Sequence, residues 1–306
     1  MTGDTMSDLR GRVPAQALME RTLQLHSAGP ETPSGESRPW YVGALGEIAV
    51  AGLLSSLGPE WTVLHSVPIG NGETDIDHVV IGPPGVFTIN TKNHSGQDVW
   101  IGGHGLFVSG KSTRYIPAAM DEAAVAERRL SAAADLTVPV APLIVLLNPG
   151  VRTVKAEPEG GVRVVSDAEL LDLLRDRPVF SDQQVARIVE AAIKPETWHD
   201  NPRPGSDGAS LAIRFNAIMA RDAQSALAAA AVANSNPAVR ATAPARAPWR
   251  AQLRSAPPPR RSGSGSRRRA KKSSAGEALA KLIVLGVALL IFYVGVLPAM
   301  QAAGHP

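Results

Sequence analysis

The sequence predicts an α/β domain with a mixed sheet flanked by helices. Three observations carry that reading. The stretch GETDIDHVVIGPPGVFTINTKNH, Gly72 to His94, reads as two short strands joined by a Gly-Pro-Pro-Gly turn. VPVAPLIVLL, Val138 to Leu147, is almost wholly apolar, as a central strand covered on both faces would be. Around them the patterns run helix, several strands, helix, strand, strand, helix, an order that argues for an α/β domain from about Trp40 to Trp198.

The elements follow in order. Val13 to His26 suits a short helix through Leu18, Leu23 and Leu25, and Ser27 to Arg38 is rich in turn formers and reads as a linker. Tyr41 to Leu57 repeats apolar residues at helical spacing (Leu45, Ile48, Ala49, Leu53, Leu54) until Gly58-Pro59 stops it. Trp61 to Val67 reads as a strand, followed by the hairpin strands Ile76 to Ile81 and Val86 to Thr91. Asp98 to Ile101 and Gly105 to Val108 form a second hairpin about Gly102-Gly103-His104, and Tyr115 and Ile116 end this β region. Ala118 to Ala134 is helical and Val162 to Val165 a short strand. Ser166 with Glu169 makes a capping box for the next helix. Asp182 to Ile193 is a further helix, and Ala209 to Ala233 an Ala-rich one with Leu211, Phe215 and Ile218 on one face. These boundaries divide the chain into an N-terminal helix and linker (1–39), the main domain (40–200), the Ala-rich helix (201–236) and two C-terminal stretches (237–276 and 277–303).

Those last stretches change character. Residues 1–239 carry 19 Lys+Arg against 27 Asp+Glu, a net of −8, whereas 240–306 carry 12 basic residues against Glu277 alone, a net of +11. Pro237 to Ser274 has too few apolar residues to fold by itself and is expected to be a disordered basic linker. Leu282 to Met300 is uncharged over nineteen residues, long enough to be expected as a C-terminal transmembrane helix. The basic run Arg260 to Lys272 on its N-terminal side would then hold the main domain at the cytoplasmic face of the membrane as a single-pass protein, and attract anionic lipid. The same run is suited to gathering nucleic acid by counterion release. No cysteine is present, which excludes disulfides, thiolate metal sites and a cysteine nucleophile.

The chemistry concentrates on the central hairpin. Asp77 on the first strand and Lys92 at the end of the second are the groups a metal-dependent phosphodiesterase needs: a hard carboxylate ligand and a cation near the attacking water. Asp75 shares the face of Asp77 and sits nearer the turn. His78, His94 and His104 are spaced unlike any zinc-ligand motif and read as structural or peripheral. The glycines serve turns, since no GxxxxGK[ST] follows, and no G-x-S-x-G elbow appears.

Gly43-Ala44-Leu45-Gly46-Glu47, Asp75-Ile76-Asp77-His78 and Gly85 through His94 together resemble the NERD (nuclease-related) domain of the PD-(D/E)xK nuclease superfamily, over Gly43 to about Leu147. The resemblance implies a restriction-endonuclease-like core and a Mg²⁺- (or Mn²⁺-) dependent nuclease acting on nucleic acid, DNA in the first instance. It implies Asp77 as metal ligand, Lys92 as the water-positioning cation, and Glu47 reaching the site from the first helix. One position departs from the pattern. Asn90 stands where the superfamily usually has the second acidic ligand; its amide oxygen can coordinate magnesium without charge. Two expectations follow: a metal-dependent nuclease with Glu47, Asp77, Asn90 and Lys92 in its site, or a non-catalytic binding module that keeps the fold.

Overall fold

In a computed structural model, the structure describes residues 8–26, 32–71, 74–202 and 206–235. Among these residues nine strands form two sheets. The larger has the order β1-β2-β3-β7-β9, from β1 (Thr62–Pro68), β2 (Asp75–Gly82), β3 (Gly85–Asn93), β7 (Val140–Leu147) and β9 (Arg163–Ser166). β1, β2 and β3 run antiparallel in succession; β3, β7 and β9 are parallel. The sheet is therefore mixed, as expected. The smaller sheet has the order β6-β5-β4-β8, from β4 (Val99–Gly102), β5 (Gly105–Val108), β6 (Lys111–Thr113) and β8 (Arg152–Val154).

Helices cover both faces of the larger sheet. On one face α2 (Ser37–Leu54) and α4 (Asp167–Leu174) bury Val50, Leu54, Leu170 and Leu174 against Val80, Phe87, Ile89, Leu143, Val145 and Leu147. On the other, α3 (Tyr115–Ala134) and α5 (Asp182–Ala192) set Ala123, Ala126, Leu130 and Ile188 against Val79, Ile81 and Val86. β7 contributes to both sides, which is why its sequence is apolar at nearly every position. A short α6 (Pro195–Trp198) buries Trp198 at the edge. α1 (Gln16–Leu25) and α7 (Gly208–Ser235) pack beside α2, where Met19, Tyr41, Ala44, Leu211, Phe215 and Ile218 share one cluster.

α2 lies close to the end of β3 because residue 46 is glycine. A Cβ there would stand 3.1 Å from the Asn93 Cβ and 3.2 Å from the Leu147 Cδ1. That approach brings Glu47, the next residue, to the mouth of the sheet.

Three expectations need correction. Tyr115 and Ile116 begin α3 and do not end the β region; Pro117 sits in the first helical turn, where its missing N–H costs nothing. The capping box at Ser166 and Glu169 is present, with the Ser166 N–H donating to Glu169 Oε2 at 2.7 Å. β6 and β8 are three-residue strands that leave no periodic signal in the sequence. The expected transmembrane helix is the second correction: among the described residues no helix is long and apolar enough to cross a membrane, and 282–300 lies outside them. The expected single-pass arrangement at the cytoplasmic face of a membrane, with its lipid contacts through 237–303, is the third; it has no support and is set aside. The basic linker expected at 237–276 also lies outside the described residues.

Gly46 gives the fold a direct check. Gly46→Val should lower stability to urea by about 1–3 kcal/mol, because its side chain overpacks the α2–β3 contact. A midpoint unchanged from wild type would show that the contact is looser than its distances indicate.

Candidate functional site

The β2–β3 ladder pairs Gly82 with Gly85 and continues to His78 opposite Ile89. One step further along the two strands stand Asp77 and Asn90, neighbours on the face that α3 covers. On the other side of β2, pairing with β1 holds His65 opposite His78 and Val67 opposite Ile76. Between those pairs Ser66 faces Asp77, but its backbone is turned to φ 47°, a left-handed conformation that strains a non-glycine residue. The Ser66 Oγ accepts instead from the Gln16 N–H at 2.9 Å, and its carbonyl accepts from Arg12 Nε at 2.7 Å. Asp77 thus lies where the pairing with β1 lapses and that with β3 has ended.

The Asp77 carboxylate fills this break. Its Oδ2 accepts from the Thr91 N–H at 2.5 Å. Burial raises its pKa, opposed by the Lys92 charge and the Thr91 N–H. Lys92, two residues beyond Asn90 on the same face, has its Nζ 5.0 Å from the centre of the Tyr115 ring, a cation–π distance. Tyr115 in turn stacks on His94, with Nε2 of the histidine 2.9 Å from the tyrosine oxygen. Glu47 comes from α2. It is 5% exposed. Burial first and Asp77 second push its pKa well above the ordinary value. Glu47, Asp77, Thr91, Lys92, His94 and Tyr115 line a cleft of about 760 Å³, with Arg38 at its wall.

The sequence reading missed one carboxylate. Glu122 on α3 lies behind Asn90, whose Nδ2 donates to its Oε1 and Oε2 at 2.8 and 3.0 Å. Burial raises Glu122 to about 7, helped by Asp77 and opposed by the Asn90 hydrogen bond and Lys92. A signal existed: Glu122 is in helical phase with Tyr115, Ala119 and Ala126, so it sits on the stripe of α3 that faces the sheet. Asp75, half-buried, is raised to about 6 by burial and Asp77, against the pull of Arg12.

The four expected residues are therefore gathered, though not equally. Glu47, Asp77 and Lys92 share the cleft, while Asn90 stands beside Asp77 and is 8% exposed. His94 lines the cleft with Lys92 and Tyr115, whereas the other two histidines lie apart. His78 is buried on the opposite face with its Nδ1 2.9 Å from that of His65, and the exposed His104 pairs with Glu159. Among the described residues no three His, Cys, Asp or Glu side chains form a group that would hold a metal by themselves. Any ion here would need other oxygens, such as an amide, water or substrate phosphate, which is how magnesium is often held. The donor set fits in that sense. It has clustered carboxylates, and Asn90 Oδ1 is buried without a hydrogen-bond partner.

A family comparison covers the same segment. Residues 42–147 match the nuclease-related domain, NERD. The match runs from within α2 to the end of β7, and so includes Glu47, Asp77, Asn90, Lys92 and Glu122. An uncharacterized protein of Bacillus anthracis is 42% identical over 69 residues, covering 21% of this chain and 31% of the relative. The aligned part thus spans about a third of that relative's length. No solved structure matches the chain. The match to the nuclease-related domain points to a nuclease-related function.

The raised carboxylates make a pH prediction. An acid raised on folding holds its proton in the native state while the unfolded chain has lost it. Its contribution to stability is therefore greatest at low pH and falls as pH rises. For Glu122 the window runs from about 4.5 to about 7. The buried histidines His65 and His78, lowered by burial, act in the opposite sense, so a difference between variants is needed. With a chelator present, the stability of Glu122→Gln relative to wild type should rise across that window and level above it. A difference that is flat with pH would place Glu122 in ordinary solvent.

Proposed function

We propose that this chain is a divalent-metal-dependent nuclease whose site is the Asp77–Lys92 end of the central hairpin. The observation that carries the reading is the convergence of Glu47, Asp77 and Lys92 on one cleft, inside the segment that matches the nuclease-related domain. Asp77 and the Oδ1 of Asn90 would hold Mg²⁺ or Mn²⁺, with Glu47 a further carboxylate on the cleft wall. The ion, when bound, supplies a Lewis acid for the phosphoryl oxygens and lowers the pKa of a bound water.

The chain's own groups do the rest. The Thr91 N–H fixes the Asp77 carboxylate, so its geometry is set before substrate arrives. Tyr115 and His94 limit the positions open to the Lys92 ammonium. In this reading Lys92 holds the attacking water by hydrogen bond and offsets the negative charge that builds on the phosphoryl oxygens. Arg38 at the cleft wall, whose guanidinium is shared with Asp222 at 3.5 Å, would be a second cation for the phosphate backbone. The basic residues of 240–306 would strengthen encounter with nucleic acid, since the rest of the chain is acidic.

The non-catalytic alternative rests on Asn90 alone, and the same assay separates the two. Full-length protein with Mg²⁺ or Mn²⁺ should nick or degrade plasmid, linear or single-stranded DNA, or RNA. Asp77→Ala and Lys92→Ala should each lower the rate by about two to three orders of magnitude. Cleavage that survives both substitutions belongs to a contaminant. Binding without cleavage on every substrate and with either metal would establish the alternative.

A further inference from the structure

An amide, Asn90, stands beside Asp77 where the resemblance implies a carboxylate. Behind that amide stands Glu122, accepting from Asn90 Nδ2 with both oxygens. Both oxygens of Glu122 stand within hydrogen-bond distance of Nδ2, and toward the ionised carboxylate only the NH₂ end of the amide can donate. The other end, Oδ1, is left buried without a partner, on a residue 8% exposed. Buried polar groups are rarely left so. An orphaned amide oxygen beside acidic groups has nothing to accept from, and hard cations bind such oxygens. Glu122 itself makes no ion pair among the described residues.

We propose that Asn90 and Glu122 together replace one carboxylate of the Asp77–Lys92 site: Asn90 Oδ1 is the neutral ligand, and Glu122, from α3, supplies its negative charge and holds it in orientation. The inference rests on the metal-dependent reading above and adds a residue to it. Glu122 is a positioning residue, acting on the ion through Asn90. Carboxylates that orient a metal ligand in this way typically change affinity about 10–100-fold when altered. A purely structural role for the contact, tying α3 to β3, makes a different demand. Gln at 122 can still accept from Asn90 through its Oε1, so a structural tie would survive the loss of charge.

The test is calorimetric titration of Mn²⁺ into the full-length wild type, Glu122→Gln, the double variant Asn90→Asp/Glu122→Gln, and Asp77→Ala, with thermal melts to confirm folding. Glu122→Gln should bind Mn²⁺ about 10–100-fold more weakly than wild type. The double variant, which moves the charge onto β3, should recover most of that loss. Wild-type affinity in Glu122→Gln, with binding lost in Asp77→Ala, would overturn the pair and leave the nuclease reading standing. Failure of the folded double variant to recover would also overturn it. A wild type that takes up no Mn²⁺ would overturn both.

Discussion

The site depends on a break in strand pairing. β2 is paired on both edges along most of its length, and apolar side chains are packed on both of its faces, where an unpaired charge would be costly. At Asp77 both partners give way: Ser66 turns into a left-handed conformation, and the register with β3 has ended one step before. The Asp77 carboxylate then takes the Thr91 N–H, so that backbone donor is met. The strain at Ser66 is offset by hydrogen bonds to Gln16 and Arg12, from the N-terminal segment and outside the sheet.

From that break follow the electrostatics. Glu47, Asp75, Asp77 and Glu122 each feel burial, and Glu47, Asp75 and Glu122 also feel the charge of Asp77; all four have raised pKa values. Lys92 is the cation that acts on Glu47, Asp77 and Glu122, and one lysine does not balance so many acids. Such a cluster is either partly protonated or completed by a cation, and sites tuned in this way are where acid, base and metal chemistry is found. The fold imposes the cluster from three directions: α2 through the Gly46 approach, β2–β3 directly, and α3 through the stripe that carries Glu122.

Much of this was legible in the sequence. The hairpin, the central strand β7 and the α2 periodicity are strong patterns because each buries a whole face. The proximity of Asp77 and Lys92 was readable because they stand on adjacent strands. Three kinds of feature were not. Strands β6 and β8 are too short to show a period. The start of α3 was hidden by an apolar Tyr115-Ile116 that suits a strand as well as a helix. Glu122 was hidden because its role arises only when α3 folds over β3, thirty-two residues away in sequence, and an acid in an Ala-rich helix ordinarily reads as solvent-facing. The apolar run at 282–300 was read from composition alone, and no described helix bears out a membrane span.

The central claim is that a divalent cation belongs at the break in the β2 pairing, on Asp77 and Asn90. Anomalous diffraction at the manganese edge, from crystals of the protein grown with Mn²⁺, locates such an ion without reference to activity. The account predicts a peak within coordination distance of the Asp77 carboxylate and Asn90 Oδ1, with Glu122 still accepting from the Asn90 amide. A well-ordered site with no peak there, or manganese bound only elsewhere on the chain, would contradict it.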